Sequence, residues 1–369
     1  MPTERTLCID LRWIDNSGVG NYIQGILPGI VEKLCDVSIV GLGDPSRLRT
    51  FPWSQATNLR LVDCRAGRYS IGEQFQLPRI IPSKVDLFFS PYYTIPLAYR
   101  GPLAVTVHDM SHLVVHEIVS NWKKRMYAQL MYRAVRRRAS MIFTVSEFTK
   151  SELLRLTQGA RDDNIVPTHL GISAEWYGAR QRPPLRMRPY FVCVGNIKPY
   201  KNIRRLVEAF VSIRQQIPHD LVIVGQSEGL ITGESAEFFE VVQAAGERVQ
   251  LTGFVSHDEL LSLVGHAQAL IMPSLYEGFG LPPLEAMAAG VPVAVARAAS
   301  LPEVCGDAAM FFDPLNIETI AKSMLDLACR PELRERLARA GRERARLFTW
   351  ESCASRTADG LRRALGTNA

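Results

Sequence analysis

Along almost the whole chain, short apolar runs alternate with longer stretches in which apolar residues return every three or four positions. The runs are rich in β-branched residues and read as buried strands, and the longer stretches read as amphipathic helices. In the first half, strands are predicted near residues 6–11, 37–40, 59–61, 87–89, 103–107, 141–145 and 164–166. A turn-rich loop at 16–20 precedes a helix over about 21–34. In the second half, strands are predicted at 190–194, 221–224, 249–251, 269–272, 292–296 and 310–312, with a helix from 203 to about 215 and helical sequence from 317 onward. Thr349 stands where an N-cap would open a last helix. Strands this uniformly apolar suit parallel sheets covered on both faces. The stretch 175–189, EWYGARQRPPLRMRP, follows neither period and reads as a linker.

The expected architecture is therefore α/β, with two doubly wound, Rossmann-like domains facing each other across a deep cleft. Residues 1–174 form the first, completed by a C-terminal helix at 350–369, and residues 190–349 form the second. Ligands of open α/β sheets sit outside the carboxyl ends of the strands. A nicotinamide-type GxGxxG is missing after the first strand, where Gly18-Val19-Gly20 supplies only GxG.

Composition narrows the picture without changing it. A chain of 369 residues, 47% apolar and 22% charged, is an ordinary soluble type with enough length for two cores. No run of about eighteen uncharged apolar residues reads as a membrane span. The opening MPTERTLCIDLRW carries charges where a secretion signal needs apolar residues. Seven cysteines stand singly with no CxxC pair, which predicts buried free thiols in a reducing cytoplasm. Part of the net charge of +6 is local: WKKRMYAQLMYRAVRRR at 122–138 holds seven bases and no acid. A helix there sets Trp122, Met126, Leu130 and Ala134 in one line. Packing of that line into a core, contact with anionic lipid and attraction of nucleic acid are three readings of it. Nucleic acid is not an expected partner.

The chemistry concentrates in residues 271–290. A strand ends near Met272, Tyr276-Glu277-Gly278-Phe279-Gly280 forms a loop, and Leu281-Pro282-Pro283 opens a helix that carries Glu285 and ends at Gly290. A strand, a glycine loop and a helix N-terminus present backbone N–H groups and a favourable dipole to a phosphate. Glu277 and Glu285 are not placed as a dyad on one helical face and read as flanking one ligand. A purely structural reading is also open, with Glu285 complementing the helix dipole and Gly278 and Gly280 making a turn.

Glu277, Gly278, Phe279, Gly280, Leu281, Pro282, Glu285, Ala286, Met287, Ala288, Gly290 and Pro292 resemble the E-x7-E signature of the retaining family 4 glycosyltransferases. The resemblance implies the GT-B fold, with Glu285 bonding the nucleotide ribose, Glu277 contacting the donor sugar, and the amides of Phe279 to Leu281 holding the diphosphate or sugar. Val194-Gly195-Asn196-Ile197-Lys198-Pro199-Tyr200-Lys201-Asn202 resembles the family's phosphate loop, which makes Lys201 the cation against the leaving diphosphate. Asn196 stands where the family often has Arg, and Lys198 either compensates or faces solvent. Gly253 and Phe254 resemble the loop that packs near the base. His108 and Asp109 resemble the family's HD segment, implying a hydrogen bond from His108 to a sugar hydroxyl and an orienting part for Asp109. Gly18 and Gly20 resemble its first glycine loop, and His169 and Gly171 a domain-closing turn. Thr144–Phe148 reads mainly as structure, with Ser146 as an N-cap.

No D-x-D motif occurs, so no metal and no cofactor are expected; the co-substrate is a nucleotide sugar, with GDP-mannose the first choice. The expected activity is retaining transfer of a hexose, mannose first, onto a glycan or polyprenyl-linked saccharide for a bacterial surface polysaccharide such as lipopolysaccharide. The expected place is the cytoplasm, with peripheral contact at the inner face of the plasma membrane. A UDP-sugar transferase, a sugar-nucleotide epimerase and a non-enzymatic sugar-binding protein are the other readings. A phosphorylase-like enzyme would need a pyridoxal lysine site and a much longer chain.

Overall fold

A computed structural model describes residues 5–115, 122–158, 162–226 and 234–367. They fall into two compact units. The first sheet contains β1 (Thr6–Asp10), β2 (Ser38–Gly43), β3 (Leu59–Asp63), β4 (Leu87–Ser90), β5 (Leu103–Val107), β6 (Met141–Thr144) and β7 (Ile165–Pro167). Its order is β3-β2-β1-β4-β5-β6-β7, and every pairing is parallel. The second contains β8 (Tyr190–Val194), β9 (Asp220–Val224), β10 (Val249–Gly253), β11 (Ala269–Met272), β12 (Val293–Ala296) and β13 (Met310–Phe312). Its order, β10-β9-β8-β11-β12-β13, is again wholly parallel. Both are doubly wound sheets, and the order reverses at β1/β4 in one and at β8/β11 in the other. Such switch points open a crevice at the carboxyl ends of the strands. Central strands such as LAVTV, DLVIV and VAVA are buried at every position, as a sheet covered on both faces requires.

Each strand expected from the pattern is present, with ends displaced by a few residues. Two local expectations change. The supposed loop at 16–20 lies largely within the helix Ser17–Lys33, so Gly18 and Gly20 occupy its first turns. The amide of Gly20 donates to the Asn16 carbonyl at 2.5 Å, and a Cβ there would collide with the Ile14 carbonyl. The supposed linker is also partly built: Ala174–Gln181 forms a 3-10 helix that buries Trp176 and Ala179 against the helix His257–Gly265. A helix with three residues per turn escapes a search for 3.6 periodicity. All seven cysteines are free, but Cys35 and Cys329 are exposed rather than buried.

The helix Trp350–Leu365 belongs to the first unit and packs along Ser17–Lys33. Thr349 caps it, accepting from the Ser352 amide at 3.1 Å. The close approach depends on glycine, because a Cβ at Gly25 would enter the Trp350 ring and one at Gly29 would meet the Ala354 methyl at 2.7 Å. Gly25→Val should therefore cost about 2–3 kcal/mol in chemical denaturation. Gly18→Ala, whose Cβ meets nothing within 4 Å, should change stability little.

Candidate active site

At the switch point of the second sheet, the loop after β8 meets the loop after β11. Lys201 ends a single 3-10 turn, Pro199–Lys201. Asn202 follows in the left-handed conformation, φ 57°, and is buried. Its side-chain amide donates to the carbonyls of Pro273 (3.1 Å) and Pro314 (2.7 Å), and its oxygen accepts from Arg205 at 2.9 Å. The Leu275 amide donates to the Tyr200 carbonyl at 2.8 Å. These bonds stitch the two loops together and aim Lys201 at Glu277: Nζ lies 2.6 Å from Oε1. Burial works against the Lys201 charge, yet Glu277 and Tyr200 outweigh it and raise the ammonium above its ordinary range.

The Glu277–Gly280 loop is fixed from beneath. Ser300, fully buried, donates its hydroxyl to the carbonyls of Glu277 (2.9 Å) and Phe279 (2.8 Å). Phe279 is buried against Phe348. Gly280 takes φ 103°, where a Cβ would sit 2.7 Å from Leu301 Cδ2, and it opens the helix Leu281–Ala288 with no side-chain cap. Pro282 and Pro283 have no N–H, so the helix-entry donors that remain for an anion begin with the amides of Gly280 and Leu281. Gly278 and Leu281 are half-buried beside them.

Glu285 lies in the second turn of that helix. Its carboxylate makes no hydrogen bond or ion pair among the described residues. Burial, and secondarily the charge of Glu175, push it up to about 8.

Three neighbouring strands end in glycines of positive φ: Gly195 after β8, Gly225 after β9 and Gly253 in β10, at 149°, 153° and 69°. A Cβ at Gly225 would run into the Gly195 carbonyl, and the Gly225 amide donates to the Gly253 carbonyl at 3.1 Å. A Cβ on Gly195 would lie in ordinary contact with the Lys201 stem, 3.5 Å from Cε, so it is the positive φ and not crowding that favours glycine there. Asn196 is exposed and accepts from the Gln226 amide at 3.3 Å. Lys198 faces solvent, and Phe254 is 79% exposed. Asn196, Lys198 and Phe254 are thus not drawn into the Lys201–Glu277 cluster.

In the first unit, His108 follows β5. Its Nε2 lies 2.8 Å from the Pro91 carbonyl. A carbonyl only accepts, so Nε2 carries the proton and Nδ1 is left as an acceptor. Burial lowers the pKa of the ring, and Tyr22 contacts it edge-on at 4.9 Å. Asp109 uses Oδ1 to accept from the Ser111 amide (2.8 Å) and hydroxyl (2.6 Å), a local capping contact. Ser146 caps the helix Glu147–Leu156, accepting from the Thr149 amide at 2.9 Å.

Comparison with known proteins decides what this architecture belongs to. Residues 16–176 match the family model described as Glycosyltransferase Family 4, and residues 179–344 match Glycosyl transferases group 1. The O-antigen chain mannosyltransferase B of Escherichia coli is 31% identical over 284 residues, covering 73% of this chain and 72% of that protein. The chain is a family 4 glycosyltransferase. Its family makes it a retaining hexosyltransferase. The MMP alpha-(1->4)-mannosyltransferase of Mycolicibacterium hassiacum is 27% identical, covering 69% of this chain and 64% of that one. The GT-B fold is also that of a sucrose-phosphate synthase from Thermosynechococcus elongatus, with TM-score 0.76, 19% identity, and coverage of 98% of this chain and 100% of the other.

Sequence reasoning about this glycosyltransferase passed over Ser300, Gly225 and the positioning part of Asn202. It also passed over a buried cluster at the end of β1. There Arg12 Nη2 pairs with Asp10 Oδ2 (2.6 Å) and Glu73 Oε1 (2.7 Å), and Nη1 donates to the Ala66 carbonyl (2.9 Å). The only local signals were an apolar run closed by Val-Gly at 224–225 and a polar residue just before an amphipathic helix at 202.

The unpaired state of Glu285 has a consequence for stability. Its folded pKa lies above the unfolded value of about 4.5. The protonated form therefore favours the fold below that value, and this contribution is lost as pH rises through about 8. Glu285→Gln removes the charge, so it should be nearly neutral at pH 4.5. It should stabilise by about 2 kcal/mol at pH 9, read as the difference between two denaturation curves.

Proposed function

We propose that this family 4 glycosyltransferase moves mannose from GDP-mannose, with retained configuration, onto a saccharide or lipid-linked saccharide that becomes bacterial surface polysaccharide. Sequence similarity to an O-antigen chain mannosyltransferase and to a second mannosyltransferase supports the sugar and the acceptor class. The observation that carries the chemistry is the Lys201–Glu277 pair at the carboxyl end of the second sheet.

In this reading Lys201 and the amides of Phe279 to Leu281, with those around Gly195, take the diphosphate. The charge that develops on the leaving phosphate oxygen is met by a cation and fixed dipoles already in place. Glu277, released as Lys201 turns to the phosphates, accepts from hydroxyls of the transferred sugar. Glu285 accepts from the ribose hydroxyls, and two such donors favour its ionised form, offsetting the cost of burial. His108 Nδ1, the one ring nitrogen with acceptor capacity, takes a sugar hydroxyl. The donated bond thus runs from sugar to ring, the reverse of the expected sense. Asp109 holds the turn that follows His108. Gly18 and Gly20 begin the helix after β1, where a small backbone profile suits a diphosphate or acceptor. The leaving phosphate oxygen itself assists the acceptor hydroxyl, so Glu277 forms no glycosyl bond, unlike a retaining hydrolase carboxylate.

A thermal-shift and turnover panel of GDP-, UDP-, ADP- and dTDP-sugars tests the donor. GDP-mannose should stabilise the protein most and be slowly hydrolysed without acceptor. Stabilisation by a UDP-sugar with none from GDP-mannose would overturn the donor assignment. Glu285→Ala should weaken donor binding by about tenfold, the scale of one or two lost charge-assisted hydrogen bonds. Glu277→Ala should instead lower turnover by about a hundredfold or more. Equal and small effects would make both residues structural.

A further inference from the structure

The basic helix Trp122–Arg138 has two opposed faces. Ala128, Met131, Tyr132 and Val135 are buried. Trp122, Met126 and Leu130, four residues apart, are 64%, 57% and 52% exposed. At about 100° per residue these three form one ridge pointing away from the buried face, and Arg133 and Arg137 continue along it. The line expected as a core-packing candidate is thus on the surface, and only its last member, Ala134, is half-buried. Two of the seven bases serve the fold: Arg136 is buried and pairs with Asp162 at 2.5 Å, and Arg138 donates to the Leu97 carbonyl at 3.1 Å. Lys123, Lys124, Arg125, Arg133 and Arg137 are exposed, and the helix has no acid.

An exposed tryptophan, methionine and leucine in line, on a helix whose charged residues are all lysine and arginine, complement a surface that is apolar below and anionic above. We infer that the exposed face of this helix docks on an anionic lipid bilayer, with Trp122, Met126 and Leu130 entering the interface and Arg133 and Arg137 meeting the headgroups. A nucleic acid would match the charge and leave the apolar ridge in water. A protein groove would match the ridge and leave the bases without partners. The helix Trp122–Arg138 also reaches the turn that follows His108. Tyr132, on its buried face, donates its hydroxyl to the Asp109 carbonyl at 2.9 Å and stacks on Tyr93 at 4.4 Å. Docking would therefore hold the His108–Asp109 turn close to the membrane, which suits the lipid-linked acceptor proposed above. The docking itself rests on the helix and not on that reading.

Co-sedimentation of the full chain with vesicles tests it, using phosphatidylcholine alone and phosphatidylcholine with one quarter phosphatidylglycerol. The protein should bind the anionic vesicles at least tenfold more tightly than the neutral ones, and 0.5 M salt should weaken that binding. The triple variant Trp122→Ser, Met126→Ser, Leu130→Ser should lose at least tenfold in binding, as should the double variant Arg133→Gln, Arg137→Gln. Both variants change exposed side chains, so thermal unfolding and the nucleotide-sugar thermal shift should stay at wild-type values. Wild-type binding by the serine variant, equal binding to both vesicles, or binding to RNA in place of vesicles would overturn the proposal. Loss of donor binding with vesicle binding intact would count against the donor assignment alone.

Discussion

The second unit is organised around one ion pair. Lys201 and Glu277 come from loops after different strands, β8 and β11, and meet at 2.6 Å where the strand order reverses. Burial works against the charge of a lysine this sheltered, and the Glu277 carboxylate beside it holds the ammonium above its ordinary range. The neighbouring structure serves that meeting: Asn202 ties the lysine turn to the β11 loop, and Ser300 clamps the backbone of the Glu277 loop. Breaking such a pair by removing one partner costs more than the pair contributes, because the other charge is left stranded.

A pair that satisfies both partners has a functional corollary. In the donor reading, Lys201 must give up part of its contact with Glu277 to take a diphosphate, and that exchange frees Glu277 for the sugar. Glu285 is the counterpart: an acid held up near 8 with no hydrogen-bond partner among the described residues, which hydroxyl donors would satisfy. In the same reading one ligand would exchange the first contact and satisfy the second group.

The fold was legible because parallel sheets covered on both faces require uniformly apolar strands, and such runs stand out whatever surrounds them. The candidate donor loop was legible because glycine and proline are forced at its turn and helix entry. What escaped depends on contacts between distant segments. Asn202 reaches Pro314 across the unit, Ser300 reaches back to Glu277, and Arg12 joins Asp10 to Glu73. A side chain that hydrogen-bonds a remote carbonyl leaves no periodic trace. The Trp122–Arg138 helix misled for a related reason. Its periodicity identified an apolar line, but only the tertiary structure shows that a different line, through Met131 and Val135, faces the core.

The account turns on competition between Glu277 and a diphosphate for Lys201, and calorimetric titration with GDP addresses it directly. Removing the competing carboxylate in Glu277→Gln should tighten GDP binding severalfold, whereas Lys201→Met should weaken it by about tenfold or more. In the double variant the gain from Glu277→Gln should disappear. If Glu277→Gln weakens GDP binding as much as Lys201→Met does, the pair is a fixed structural link and the exchange at the centre of this account does not occur.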